Sequence, residues 1–588
     1  MTAKVVSLTV GTGIQRDGTL LAAPSYVDGR WVRFQYGRPR KMLGYRASFL
    51  NASEISRGMI MSATAGINYI YSGSASKLQQ WTTDNDDAVG SGPDDVTITS
   101  GFTASPYNLW QFDIGYDAYG NGKNNIIAHP GQNLKDITSI VNTRPLFGDF
   151  TGTTVSPVGI FTATGTLTSG SPTVTFATTI AAIGAGLTVT GTGIPADTTV
   201  LNAEIVSNVW TVTLSHNATT GGAHVLTFDN NISVSGGVVM LFPYLFVYGN
   251  NGLIQNCSAG DFNNWTSADA NSNNISSTKV VKGLPLRGGT TSPAGLFWTL
   301  DSVVRVTYSP QTVGNATLYW RYDLITQQSS IMSSQCVIEY DGLYYWVGTD
   351  RFLMYNGVVQ EIPNTQNTNY FFDNINIAQR QKVWVSKVPR WGEIWWFYPS
   401  GSSTECNDAI VYNVREKCWY DAGHALGARR SSGVFSEVFR RPIWAGWEKN
   451  SLDTYNLWVH EVGVNQQYLS RIDAIESYFE TNILGSQGGL VNAQPVGDNV
   501  WTRCERIEPD FVQLKTMTVV VTGKGYADDV DAPSDPYPFD PTTLKVDMRE
   551  QRREMRLRFS SNIIGGDYFM GHVLLSLDTG DVRGTGNP

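Results

Sequence analysis

Cysteine is scarce and scattered. Five residues, Cys257, Cys336, Cys406, Cys418 and Cys504, are spread over 588 positions with no Cys-x-x-Cys pair. That excludes a disulfide framework and a zinc ribbon, and it fits assembly in a reducing cytoplasm. The six histidines, His129, His216, His224, His424, His460 and His572, have no His-x-His or His-Glu-x-x-His spacing, so nothing points to a metal site. Charge is thin at 16%. No apolar run approaches bilayer length, and Met1 is not followed by a basic region and an apolar core; neither Sec export nor a membrane anchor is expected. A Gly-rich phosphate loop and a Gly-x-Ser-x-Gly elbow are also missing, so no cofactor is expected. Helical periodicity is weak, the best candidate being Asn374 to Val385, and it is interrupted by strand-forming residues.

What the chain does have is 59 glycines, 12% aromatic residues and many Ser, Thr and Asn, a composition of strands and tight turns. Seven times a short aromatic strand runs into a turn and a second strand. The pairs are Tyr69 to Tyr71 with Leu78 to Trp81, Asn125 to Ile127 with Leu134 to Ile137, Tyr244 to Tyr248 with Leu253 to Asn256, and Gly295 to Trp298 with Val303 to Tyr308. Three more follow: Leu343 to Val347 with Phe352 to Tyr355, Glu393 to Tyr398 with Ala409 to Tyr412, and Ile443 to Trp447 with Asn456 to His460. A spacing of about 50 residues in the later copies is the pattern of β-propeller blades. The fold expected is therefore all-β, a propeller of about seven blade-like repeats with an inserted β-sandwich and a C-terminal β domain.

The domain limits follow from breaks in that pattern. Residues 1–50 read as an N-terminal arm with leading strands, and 51–150 as the first part of the propeller. Residues 151–234 change to a Thr/Val-rich, nearly uncharged language, as in Leu187-Thr188-Val189-Thr190 and Trp210-Thr211-Val212-Thr213, expected of a small β-sandwich. Removing them restores the period between the second and third repeats, so they read as an insertion. Residues 235–465 are the second part of the propeller, and 466–588 a C-terminal β domain.

Candidate chemistry is sparse. Ser258-Ala259-Gly260-Asp261-Phe262-Asn263-Asn264-Trp265 is faintly like the Asp-box turn of sialidases, but it occurs once and reads as a structural turn; glycoside hydrolysis would also need two carboxylates flanking the bond. The acids of Asp84-Asn85-Asp86-Asp87, or Asp528, Asp529 and Asp531, have the residue types of a calcium loop and are read as solvated. Basic residues cluster at Arg429-Arg430 with Arg440-Arg441, and at Arg549, Arg552, Arg553, Arg556 and Arg558. In a strand, alternation puts Arg556 and Arg558 on one face, a stripe suited to phosphate. Interleaved Asp547, Glu550 and Glu554 and a net charge of −9 favour ion pairing within a sheet or across a subunit boundary, so these arginines are interface candidates.

The run Tyr26-Val27-Asp28-Gly29-Arg30-Trp31-Val32-Arg33-Phe34, continued by Gly37-x-Pro39-x-Lys41-x-x-Gly44-Tyr45, resembles the opening of tail hub or nozzle proteins of short-tailed bacteriophages. These include the packaged-DNA stabilisation proteins. The close, Arg556-Leu557-Arg558-Phe559-Ser560-Ser561-Asn562 with Gly566-Asp567, Met570-Gly571 and Gly580-Asp581-Val582-Arg583, resembles the same family, and the Thr-rich insertion resembles a decoration module of phage structural proteins. The resemblance implies a virion tail protein, assembled in the host cytoplasm. It would form a ring, usually of six subunits, below the portal and its adaptor ring, contact tail fibres or spikes, and conduct double-stranded DNA. Six copies at −9 would carry roughly −54, and acid facing a lumen would repel phosphate. The expectation is a structural subunit that retains the packaged genome and lets it pass on ejection, and not an enzyme. The alternatives are a receptor- or glycan-binding tail component and, behind it, a propeller glycosidase.

Overall fold

The computed structural model describes the chain apart from residues 1–3, 65, 84–89, 98–103, 107–108, 132–141, 151–154, 288–292, 315, 437–438, 440, 485–489, 492–493, 496–500, 526–528 and 580–588. It is all-β. Seven sheets follow one another along the chain, the first six wholly antiparallel and the seventh with one parallel pair, Asn465–Tyr468 beside Tyr45–Ala52. Sheet one is built from Met59–Thr64, Ile67–Gly73, Leu78–Thr83 and Gly90–Asp95, and sheet two from Gln111–Asp117, Lys123–His129, Leu146–Asp149 and Ser156–Pro157. Sheets three to six begin at Gly237–Leu241, Val280–Pro285, Val337–Tyr340 and Trp384–Val388, each with four strands in sequence order.

The seventh sheet differs. Arg430–Val434, Ile443–Lys449 and Tyr455–His460 are joined not by the next strand in sequence but by Tyr45–Ala52, which pairs antiparallel with Tyr455–His460; Asn465–Tyr468 and Arg471–Ala474 extend the sheet further. A segment from near the start of the chain thus completes its last repeat.

Strand alternation explains how the sheets pack. Glu393–Tyr398, EIWWFY, is buried throughout. Its Ile394, Trp396 and Tyr398 join a core with Phe352, Phe371 and Trp419, while Trp395 and Phe397 face a second core with Trp384 and Trp444. The same division recurs in sheet three, where Leu245 and Val247 face one way and Tyr244, Phe246 and Tyr248 the other. In sheet one Ile70 and Tyr71 part likewise. These three second strands are apolar on both faces because each lies between two neighbouring sheets. Sheets one and seven also share a core: Met59, Met61, Ile70 and Trp81 of sheet one pack with Leu50, Ile443, Ala445, Leu457 and Val459 of sheet seven.

Residues of the Thr-rich segment form one continuous sheet of six strands from Ile160–Leu167 to Gly222–Asp229, around Leu167, Val174, Phe176, Val189, Val212 and Phe228. A bridge between Thr188 and Thr199 ties its two edges together, so where two facing sheets were expected a single sheet rolls over its core. It leaves and re-enters between sheets two and three, where the Asn230 amide donates to the Gly159 carbonyl at 3.0 Å. Arg144 pairs with Asp229 at the junction at 2.7 Å. Deleting 160–229 across this join is expected to leave a soluble protein whose melting temperature moves by only a few degrees, since the lost ion pair contributes about 1 kcal/mol or less. Thermal melts of the deletion variant check this; aggregation of all the protein would contradict it.

The two ends of the chain, read from sequence as an arm and a separate C-terminal domain, share their sheets. Lys4–Ser7 pairs with Leu574–Thr579, and Asp28–Arg30 with Ser477–Glu480, which pairs in turn with the long strand Val546–Ser561. Val32–Gln35, Arg38–Lys41, Asp567–Met570 and Phe511–Leu514 make a second sheet. Both contribute to the core that holds Trp395 and Trp444. The candidate helix from Asn374 becomes a helical turn at Ile377–Lys382 followed by strand Trp384–Val388, and a short helix, Thr368–Asn374, precedes it. All five cysteines are buried free thiols, and among the described residues no helix is long and apolar enough to cross a membrane.

Candidate functional site

The stretches that carry the family resemblance lie more than 500 residues apart in sequence and touch in the fold. The Tyr26 hydroxyl reaches Met570 Sδ at 3.6 Å, Lys41 Nζ donates to the Gly566 carbonyl at 2.9 Å, and Arg38 Nη1 donates to the Gly571 carbonyl. Tyr26 packs on Phe34 and Phe479, with ring centroids 5.5 Å apart in both pairs. Lys41 is fully buried, and burial pulls its ammonium down to about 8. Gly580 to Arg583, which completes the motif, lies outside the described residues.

The arginine-rich strand is spent mainly on partners within the chain. Met555, Leu557 and Phe559 face the core. On the other face Arg556 is 3% exposed, its Nε donating to Glu480 and its Nη2 to Asp531, both at 2.7 Å. Burial works against this guanidinium, but the Glu480 and Asp531 carboxylates outweigh it and raise its pKa. Arg558 lies over the Tyr478 ring at 3.5 Å and Arg552 pairs with Glu550 at 2.9 Å. Arg553 follows a shift in register, next to Glu554 in the left-handed region with φ 50°. Arg549 is exposed. The stripe expected from alternation therefore exists at Arg556 and Arg558, but Arg556 is taken by two acids and half-buried Arg558 lies against a ring.

Arg429 and Arg430 sit on the seventh sheet, far from that strand in sequence. Arg429 is half-buried and pairs with Glu448 at 2.7 Å; Arg430 is buried. Arg440 lies outside the described residues. So do Asp84 to Asp87 and Asp528, while Asp529 accepts from the following amide and Asp531 serves Arg556. Among the described residues no group of three or more His, Cys, Asp or Glu is placed to hold a metal ion. The Asp-box-like segment is a turn: Asp261 accepts from the Asn263 amide at 3.0 Å, and Trp265, buried, donates to the Phe262 carbonyl.

Two buried polar clusters were not singled out from sequence, because each joins residues about 360 to 430 positions apart. Arg33 is enclosed by Glu393 and Glu461, with Trp391, Trp395 and Tyr420 donating to the same carboxylates. Arg16 bridges Asp28 and Asp421 beneath Tyr370. Beside it Asp408 is fully buried, accepting from the amides of Ala409 and His424 and lying 3.2 Å from His424 Nδ1. Burial first, then the Asp421 charge, pushes the Asp408 carboxyl up to about 6. Because the unfolded value is about 4, the folded state holds the extra proton between these values, and stability contributed here falls as pH rises from about 4 to about 6. Asp408→Asn keeps the acceptor oxygen and is expected to flatten that slope without lowering the melting temperature at neutral pH; melts across this range check it.

Comparisons with known proteins add little. No family model and no curated protein matches the chain. Among solved structures, an ancestral GH74 enzyme aligns over 68% of this chain and 64% of its own, at 10% identity and a TM-score of 0.25. The chain thus spans under two thirds of that enzyme's length. An exo-beta-1,3-galactanase from Phanerochaete chrysosporium, solved with galactose, aligns over 90% of this chain and all of its own, at 9% identity and a TM-score of 0.23. The expectation that the chain is not an enzyme is withdrawn, since both of these structures are of enzymes. At such scores the likeness carries neither their activity nor their substrates to this chain.

Proposed function

We propose that the seven successive sheets are the blades of a closed β-propeller, and that the chain is a structural subunit of a bacteriophage tail, in a hub or nozzle ring. The ring closure rests on the shared core of sheets one and seven and on Tyr45–Ala52 as a strand of the last sheet. A propeller closed in this way has short, protected edges and offers loops on two faces to neighbours.

The observation that carries the tail reading is the meeting of the two family-like stretches, Tyr26 to Tyr45 and Arg556 to Gly571, in one knitted platform. Motifs that merely shared composition with another family would have no reason to be one structural unit. In this reading copies of the chain form a ring of six in the virion tail, below the portal and its adaptor, with fibres or spikes attached. Double-stranded DNA is retained above it and passes through on ejection. The net charge of −9 suits a passage that must not hold phosphate.

Native mass spectrometry of the full-length protein, alone and with its adaptor ring, tests the assignment. A rotationally closed oligomer of six, formed alone or on the adaptor, is expected; a chain that stays monomeric or trimeric in both mixtures would overturn it.

A further inference from the structure

The seventh sheet holds a buried cation without a matching acid. Arg430 is 3% exposed. Its Nε donates to His460 Nε2 at 3.0 Å and its Nη1 to the carbonyls of Leu426 and Arg429, while Nη2 makes no hydrogen bond of normal geometry. The adjacent Tyr45 hydroxyl donates to Gln466 Oε1 at 2.9 Å. His460 is held neutral, since burial and then the Arg430 charge depress it well below its usual range. Tyr45 and Trp458 each present a ring 5.0 Å from the guanidinium carbon. Those π faces offset part of the cost of a buried charge, but they do not supply the counter-ion such a charge calls for.

Arg430 lines a cavity of about 480 Å³ together with Tyr45, Trp458, Tyr468, Asn456 and Gln466. The other cations of this wall are matched: Arg429 by Glu448, Lys449 by Asp453 and Arg471 by Asp473, at 2.6 to 2.8 Å. Glu448, whose charge also reaches Arg430, is already taken by Arg429, so the wall holds one cation more than its acids, under aromatic rings and beside amides.

We infer that this cavity binds a sugar carrying one carboxylate, a uronic acid residue, with the carboxylate directed to Arg430. The single negative charge answers the single cation in excess, and Nη2, the one guanidinium nitrogen without a hydrogen-bond partner, is the donor left for it. The volume fits one or two sugar rings. Trp458 and Tyr468, whose centroids are 6.5 Å apart, offer apolar surface to the ring, and the Asn456 and Gln466 amides suit its hydroxyls. The inference stands on this sheet alone and does not depend on ring assembly.

Isothermal titration of the full-length protein with glucuronate, galacturonate and glucose tests it. A uronate is expected to bind at least about tenfold more tightly than glucose. Arg430→Met, which removes an uncompensated buried charge while keeping its bulk, is expected to melt no lower than the parent and to lose that preference. Tyr468→Ala, at the rim, is expected to weaken uronate several-fold and serves as the second variant if Arg430→Met does not fold. Glucose binding as tightly as both uronates, absence of uronate binding in the millimolar range, or unchanged uronate binding in the folded variants would overturn the inference. So would binding of N-acetyl-aspartate amide in preference to the uronates, which would mark the cavity as a receptor for an acidic protein side chain.

Discussion

Arg33→Ala is expected to cost about 3–5 kcal/mol of folding stability, the loss that follows when one partner of a buried charge pair is removed. Arg33 is fully buried. Its Nε lies 2.9 Å from Glu393 and its Nη2 2.6 Å from Glu461. Burial already holds the Glu393 carboxyl above its usual range, with Arg33 pulling it back down, so without the guanidinium one of these acids has to take up a proton. Urea unfolding measures the loss. The companion Arg33→Met, Glu393→Gln double variant removes charge from both sides and is expected to be less damaging than Arg33→Ala. Equal loss in both would mean that the cavity, and not the stranded carboxylates, sets the cost.

Deleting residues 1–52 is expected to leave no soluble protein. The deletion removes Trp31, Phe34 and Tyr45, all at 2% exposure, from the largest core. At about 3–5 kcal/mol for each large aromatic lost, these three alone approach the roughly 5–15 kcal/mol that a folded domain has in total. It also leaves Tyr455–His460 without its neighbour Tyr45–Ala52, exposing a strand edge prone to aggregation. Because Lys4 pairs with Leu577, the termini can be joined by a linker and the chain reopened just after Ala52. That permutant keeps every strand pairing and is expected to fold. Soluble, cooperatively melting protein from the simple deletion would show that the last sheet does not need the early strand.

The repeating part of the fold was legible because alternate aromatic residues on a short strand, closed by a turn, carry a period-2 signal that needs no distant information. Leu343–Val347 with Phe352–Tyr355, and Tyr244–Tyr248 with Leu253–Asn256, form hairpins with the bounds read from sequence. The second hairpin was misread in part: Lys123–His129 pairs with Gln111–Asp117 and Leu146–Asp149, while Leu134 to Ile137 lies outside the described residues. Long-range knitting was not legible. Nothing local in Tyr45 to Ala52 says that it belongs beside Tyr455, and nothing in Val32-Arg33-Phe34 says that Arg33 meets Glu393 and Glu461. The arginine stripe illustrates the same limit. Alternation placed Arg556 and Arg558 on one face, but Glu480 and Asp531, which occupy Arg556, come from other segments. Arg430 was noted as one of a basic pair, whereas its burial between Tyr45 and Trp458 depends on the strand that closes the seventh sheet.

Cryo-electron microscopy of the full-length protein assembled on its adaptor ring tests the central claim most directly. The account predicts six subunits about one axis, each with its seven sheets in a closed circle, and a lumen wide enough for duplex DNA with more acid than base on its wall. Subunits whose sheets lie in an open row, or a lumen lined mainly by Lys and Arg, would contradict it.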